Sequence, residues 1–167
     1  TLIRIVRDRG FKSSGLLQGE WSWLLGAILF GGVLGPVALM FGLTQTSGST
    51  ASLLLNLEAV LTAVLAWVVF KENADRRVVL GMVAIVAGGI VLSWPSGVTN
   101  ETSWFGPIAI AAACLCWAID NNLTRKVSTS DALFIASSKG LIAGGINCAL
   151  AITLGATFPN GVTFLST

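Results

Sequence analysis

Glu58 carries the clearest chemistry in this chain. It stands near the middle of LLLNLEAVLTAVLAWVVF (residues 53–70), an apolar run of membrane-spanning length. An acidic side chain at the centre of a membrane helix costs about 2.5–3.5 kcal/mol on insertion scales. A chain that keeps one there needs a polar path or a partner for it. The functional uses are contact with a cation, a substrate or a coupling proton; the structural alternative is a protonated carboxyl bonded to a neighbouring helix. Thr62, four residues on, shares the Glu58 face, whereas Asn56, two residues earlier, is expected to face elsewhere; both stand with Glu58 as candidate substrate- or proton-binding residues. A second pair lies further along. Lys139 sits about two turns inside another apolar run, and Asp120 near the cytoplasmic end of the run before it. A short connection makes these two runs a hairpin, and the two depths differ by about 5 Å at 1.5 Å rise per residue. An Asp120–Lys139 ion pair is therefore expected, because pairing lowers the cost of burying both charges. It would clamp the hairpin or gate its end. Asn121, Asn122 and Asn147 add polar groups to the same hairpin, either lining a pathway or joining helices.

Composition sets the environment of these residues. Of 167 residues, 54% are hydrophobic and 11% charged, and the mean hydropathy is +0.81. A soluble domain has about 25% charged residues, so the surface is expected to face a lipid bilayer. Nineteen glycines fit close helix packing in a membrane. A net charge of +2 gives no reason to expect nucleic acid. The absence of histidine removes the usual neutral-pH proton carrier and most histidine metal sites. Cys114, Cys116 and Cys148 lie in apolar runs and are read as packing residues, with no disulfide framework and no zinc site. No metal and no organic cofactor is implied. No phosphate loop, nucleophile–base pair, zinc helix motif or heptad seam is present, which argues against an enzyme.

Five segments can cross about 30 Å of hydrocarbon: Trp21–Leu43, Ala51–Phe70, Arg77–Trp94, Trp104–Leu123 and Asp131–Leu154. Their connections are short, so consecutive helices are expected to be antiparallel neighbours. Arg4, Arg7, Arg9 and Lys12 precede the first span; Lys71, Arg76 and Arg77 follow the second; Arg125 and Lys126 follow the fourth. The alternate loops, TQTSGST and PSGVTNETS, hold no lysine or arginine. The positive-inside rule places the basic side in the cytoplasm. Asp75 is expected to cap the third helix and Ser130 the fifth, with Asp131 in its first turn; Pro107 suits an early helical turn. Trp21 and Trp23 mark one bilayer face, Trp94 and Trp104 the other. Pro36, following Gly31, Gly32 and Gly35, is expected to kink the first helix. Gly31/Gly35 and Gly140/Gly144 are spaced for close crossings. Glu72, beside basic residues at the cytoplasmic surface, reads as a solvated loop charge. The chain begins at Thr1, not methionine, its basic first residues lack a signal-peptide cleavage site, and it trails off after Phe158-Pro159-Asn160, so both ends read as cut from a longer protein.

The order of these features resembles a known family. GLTQTSGSTASLLLNLEAVLTAVLAWVVFKENADRRVVLGMVAIVAGGIVLSW resembles the end of an EamA-type repeat of the drug/metabolite transporter superfamily, on the small-residue turn Thr46–Ser52, the long apolar second span, the closing Glu72, Gly81 and the pair Gly88-Gly89. WFGPIAIAAACLCWAIDNNLTRKVS, with Gly106 and Trp117, is similar to the opening helix of the second repeat. The resemblance implies an all-α membrane protein: five transmembrane helices of a ten-helix, inverted-repeat bundle. In that register residues 1–20 are a cytoplasmic basic loop, 21–94 the last three helices of the first repeat, 95–103 an external loop, and 104–167 the first two helices of the second. The missing helices of the full-length chain would be its partners. The family commonly has a proline directly after the position of Glu58; Ala59 stands here, so a kink is expected to be absent. The resemblance also puts the second and fourth spans beside a central cavity, making Trp117 a candidate lining residue with Glu58. The expectation is a secondary transporter, exporting small metabolites or drugs by alternating access, in the bacterial plasma (inner) membrane. A non-transporting scaffold or assembly subunit is the competing reading; a channel is weaker, since no filter motif is visible.

Overall fold

A computed structural model describes residues 19–73, 75–92, 104–127 and 131–155. These are helical, with no strand among the described residues. The helices are α1 (Glu20–Leu43), α2 (Gly48–Val68), α3 (Arg76–Leu92), α4 (Phe105–Lys126) and α5 (Ala132–Thr153). Four of them, α1, α2, α4 and α5, are long and apolar enough to cross a membrane. α3 has 17 described residues, about 26 Å at 1.5 Å each, at the short end of the spanning range.

The observed ends fall within three residues of those expected, and caps explain the shifts. Ser47, in an extended conformation, accepts the amide of Thr50, so α2 begins at Gly48 inside the stretch read as a turn. Asp75 Oδ1 accepts the Arg77 amide at 3.1 Å and starts α3 as expected. Asp131 is itself the cap of α5, accepting the Leu133 amide at 2.9 Å; Ser130 lies outside the described residues, as do Trp94 and the basic residues before α1. α4 runs on to Lys126, whose charge and that of Arg125 suit the negative helix end.

Pro36 does disturb α1, in a specific form. Ile28–Leu34 is π-helical, between α-helical Glu20–Ala27 and Gly35–Leu43. The Gly35 amide reaches back five residues to Phe30 O, and Pro36 has no amide to donate. The carbonyls of Gly31 and Gly32 are thereby left to other donors. Trp117 Nε1 of α4 takes Gly31 O at 3.1 Å, and Asn147 Nδ2 of α5 takes Gly32 O at 2.7 Å. The same glycines let the helices close up. A Cβ on Gly31 would run into the Asp120 carboxylate, one on Gly32 into Ala143, and one on Gly35 into the Trp117 indole. Gly140 and Gly144 differ from expectation: a Cβ on either meets nothing within 4 Å.

α4 is the central helix, packed on α1 and α2. Its Ile110, Ala113, Cys114 and Ala118 are fully buried. One core cluster joins Leu24 and Ile28 of α1, Val127 just after α4, and Ile135 and Ala143 of α5. The other joins Ala51, Ile110 and Cys114, with Leu39 and Leu61 against them, from α1, α2 and α4. α3 lies against α2. The hairpin expectation needs one correction. α5 packs its backbone on the π-helical part of α1 more than on α4, because glycines there admit Ala143. Outward faces are apolar, as at Leu80, Val83, Leu141 and Ile152, and in a bilayer such faces meet lipid or further helices. Cys148 is on an exposed face, not in the packing role expected of it.

Candidate functional site

Glu58 reaches its position through a break in α2. The helix consists of Gly48–Leu54 and Leu57–Val68, interrupted at Leu55 and Asn56. No proline is there. Instead Asn56 Nδ2 donates to Ser52 O at 3.3 Å and Leu53 O at 3.2 Å, and the Asn56 and Glu58 amides make short-range bonds to Leu53 O and Leu55 O. A short polar side chain that bonds its own backbone competes with the helix ladder. Cys114 Sγ lies 3.5 Å from Leu54 O and helps cover the break. A proline is thus not needed for an interruption here: with Leu55 and Asn56 still in helical φ/ψ, the hydrogen bonding changes just before Glu58 and leaves it in the first turn of Leu57–Val68, where the positive end of the helix dipole favours an acid.

α4 supplies the partners. Asn121 Nδ2 donates to Glu58 Oε1 at 3.0 Å and lies 3.4 Å from Thr62 Oγ1. Asn122, buried, donates to Thr62 O at 3.1 Å and to Ala118 O at 2.8 Å. Glu58 and Thr62 thus share a face as expected. α2, α3 and α4 enclose a groove of about 750 Å³ lined by Glu58, Thr62, Trp67, Met82 and Asn121. Asn56 lines it too, contrary to the expectation that it faces elsewhere.

The end of the groove at the basic helix termini holds Glu72 and Arg125, joined in an ion pair. Glu72 is therefore a paired residue rather than a solvated loop charge. Beside it Lys126 Nζ stands 5.0 Å from the centre of the Phe70 ring. Sequence reasoning missed the part Asn121 and Arg125 play together. The available signal was their spacing of one helical turn, which puts both on one face of α4.

Trp117 does not line this groove. Its indole is occupied by α1, bonded to Gly31 O. Asp120 and Lys139 come together, Nζ to Oδ1 at 2.5 Å, with Thr124 Oγ1 at 2.9 Å from Oδ1 and 3.0 Å from Nζ. Their side chains are 13% and 24% exposed, so this is a part-buried pair. It belongs to the junction of α1, α4 and α5, outside the groove. Three successive residues of α4 therefore serve three contacts: Asp120 with α5, Asn121 with the groove, and Asn122 with the α2 backbone. Among the described residues no three histidine, cysteine or acidic side chains gather to hold a metal ion.

Comparison with known proteins agrees with this architecture. The chain is 25% identical over 158 residues to an uncharacterized transporter of Methanothermobacter thermautotrophicus, covering 92% of this chain and 46% of that protein. It is 32% identical over 129 residues to the uncharacterized transporter YyaM of Bacillus subtilis, covering 75% of this chain and 42% of that protein. The chain thus spans less than half the length of each relative. No solved structure matches it. The model of the EamA-like transporter family matches residues 4–94, more than half the chain, and with its membrane-length helices the chain is an integral membrane protein that belongs to the EamA-like transporter family.

Proposed function

We propose that the full-length protein is a secondary transporter that exports small metabolites or drugs by alternating access. Glu58 binds substrate or a coupling proton in the groove between α2, α3 and α4. One observation carries the reading: a carboxylate in the middle of a membrane-length helix lines a polar-floored groove and is held there by Asn121 from another helix. A structural acid would be sealed among helices, whereas Glu58 is half-buried and reachable. The family match, ending at residue 94 where the first five-helix repeat is read to end, supports the division into the close of one repeat and the opening of another. The remaining helices of the same gene product then complete the cavity, and the bacterial plasma membrane is its location. The test compares solutes released by cells that carry the complete gene, lack it, or carry Glu58→Gln. Gene-dependent release of at least one small solute, lost with Glu58→Gln at unchanged protein level, is expected. Identical release from all three sinks the proposal.

A further inference from the structure

The charge and walls of the groove specify what it takes, an inference that rests on the transport reading above. Glu58 Oε1 accepts the Asn121 amide, but no described residue donates to Oε2. The Asn121 amide already serves both Glu58 and Thr62. Arg125 is the cation among the lining residues, and Glu72 is paired with it. Among the described lining residues Glu58 is therefore the uncompensated charge, with one acceptor oxygen to fill. The wall beyond it is apolar and narrow-chained: Ala59, Ala63 and Ala66 follow one another along α2, and Met82 faces them from α3. Trp67, 54% exposed, closes this strip toward the Glu72–Arg125 end. Trp67 stands nine positions after Glu58, a rise of about 13 Å.

We propose that the groove selects small amphiphilic ammonium ions. A primary or secondary amine head donates to Glu58 Oε2 in a charge-assisted bond. An apolar or aromatic body lies on the alanine strip, and its far end stacks on Trp67. A carboxylate of the same shape meets Glu58 with like charge and finds Arg125 already engaged. A neutral alcohol donates one weaker bond and leaves the charge of Glu58 without a counter-ion.

The test holds the body constant and varies the head. Phenethylammonium, 2-phenylethanol and phenylacetate are titrated into the purified full-length protein, with binding read by calorimetry and by the shift in Tm. The ammonium is expected to bind at least ten-fold more tightly than the alcohol, and phenylacetate not at all. Glu58→Gln removes the preference for the ammonium, and Glu58→Asp, which keeps the charge, retains part of it. Trp67→Ala weakens phenethylammonium several-fold but leaves ethylammonium unchanged. Failure of the ammonium to bind, equal binding of the acid or alcohol, or full binding by Glu58→Gln overturns the class. The release experiment judges transport separately: Glu58-dependent release of an anion or a neutral solute defeats the ammonium class and leaves the transporter standing.

Discussion

Asp120 and Lys139 show how far single residues could be read in advance. Helical rise alone set their depths, and the pair forms at 2.5 Å. What spacing does not contain is the third helix. Gly31 of α1 lies so close to the Asp120 carboxylate that no side chain fits there, and Thr124 completes the bonding of both charges. Removing one member leaves the other part-buried without compensation, at a cost below the about 3–5 kcal/mol of a fully buried pair. Lys139→Met should therefore lower the melting temperature of the full-length protein in detergent, while Lys139→Met combined with Asp120→Asn recovers most of the loss. If the double variant is no more stable than the single, the pair is not the source of the cost. Gly31→Ala tests the close approach. Its methyl group forces Asp120 aside, and overpacking of this kind costs about 1–3 kcal/mol, visible in the same melting assay. Trp117 teaches the opposite lesson. It does not line the groove of α2, α3 and α4; its indole N–H answers a carbonyl that the π-helix of α1 leaves open, and that need cannot be seen in the residues around Trp117.

Elements were legible where a local cause fixes them. Asp75 and the apolar lengths placed α3, and Pro36 announced a disturbance in α1. The form of that disturbance was not legible, since it depends on donors 86 and 115 residues away in the chain. The break in α2 is illegible for a related reason: the absence of a proline points to an unbroken helix, and Asn56 does the interrupting through its own side-chain amide. The α1 disturbance makes a sharp prediction. Asn147→Leu deprives Gly32 O of its donor, and a buried acceptor left unsatisfied costs about 1–3 kcal/mol. Pro36→Ala supplies the amide that an ordinary α-helix would send to that carbonyl. The two changes should therefore couple: Asn147→Leu is expected to cost about 1 kcal/mol less in the Pro36→Ala background than in the native one, a size that double-mutant cycles resolve for contacting groups. Additive effects would mean that Asn147 and Pro36 do not meet at Gly32.

At the scale of the molecule, the number of helices was legible because apolar length and basic loops are both counted along the chain. The order in which helices pack was not. α5 prefers α1 to its hairpin neighbour α4, a choice made by the small residues Gly32 and Ala143 on distant elements. Orientation rests on charge alone. Lys71, Arg76, Arg77, Arg125 and Lys126 gather where α2 ends, α3 begins and α4 ends, and the Glu72–Arg125 pair joins two of these ends in space. The opposite ends, at Thr44–Ser49 and Trp104, carry no such charge. If the basic side is cytoplasmic, one thiol at each end of α2 must report opposite compartments. In a background with Cys114, Cys116 and Cys148 changed to alanine, Ser49→Cys should react with a membrane-impermeant maleimide in intact cells. Asn73→Cys should react only after the membrane is opened. Both positions are exposed, so failure to react reflects the compartment and not packing. Labelling of both in intact cells would mean that α2 does not cross the bilayer, and Glu58 would lose the membrane setting that makes its charge informative. Labelling of Asn73→Cys alone would invert the protein and turn the Glu72–Arg125 end of the groove toward the outside.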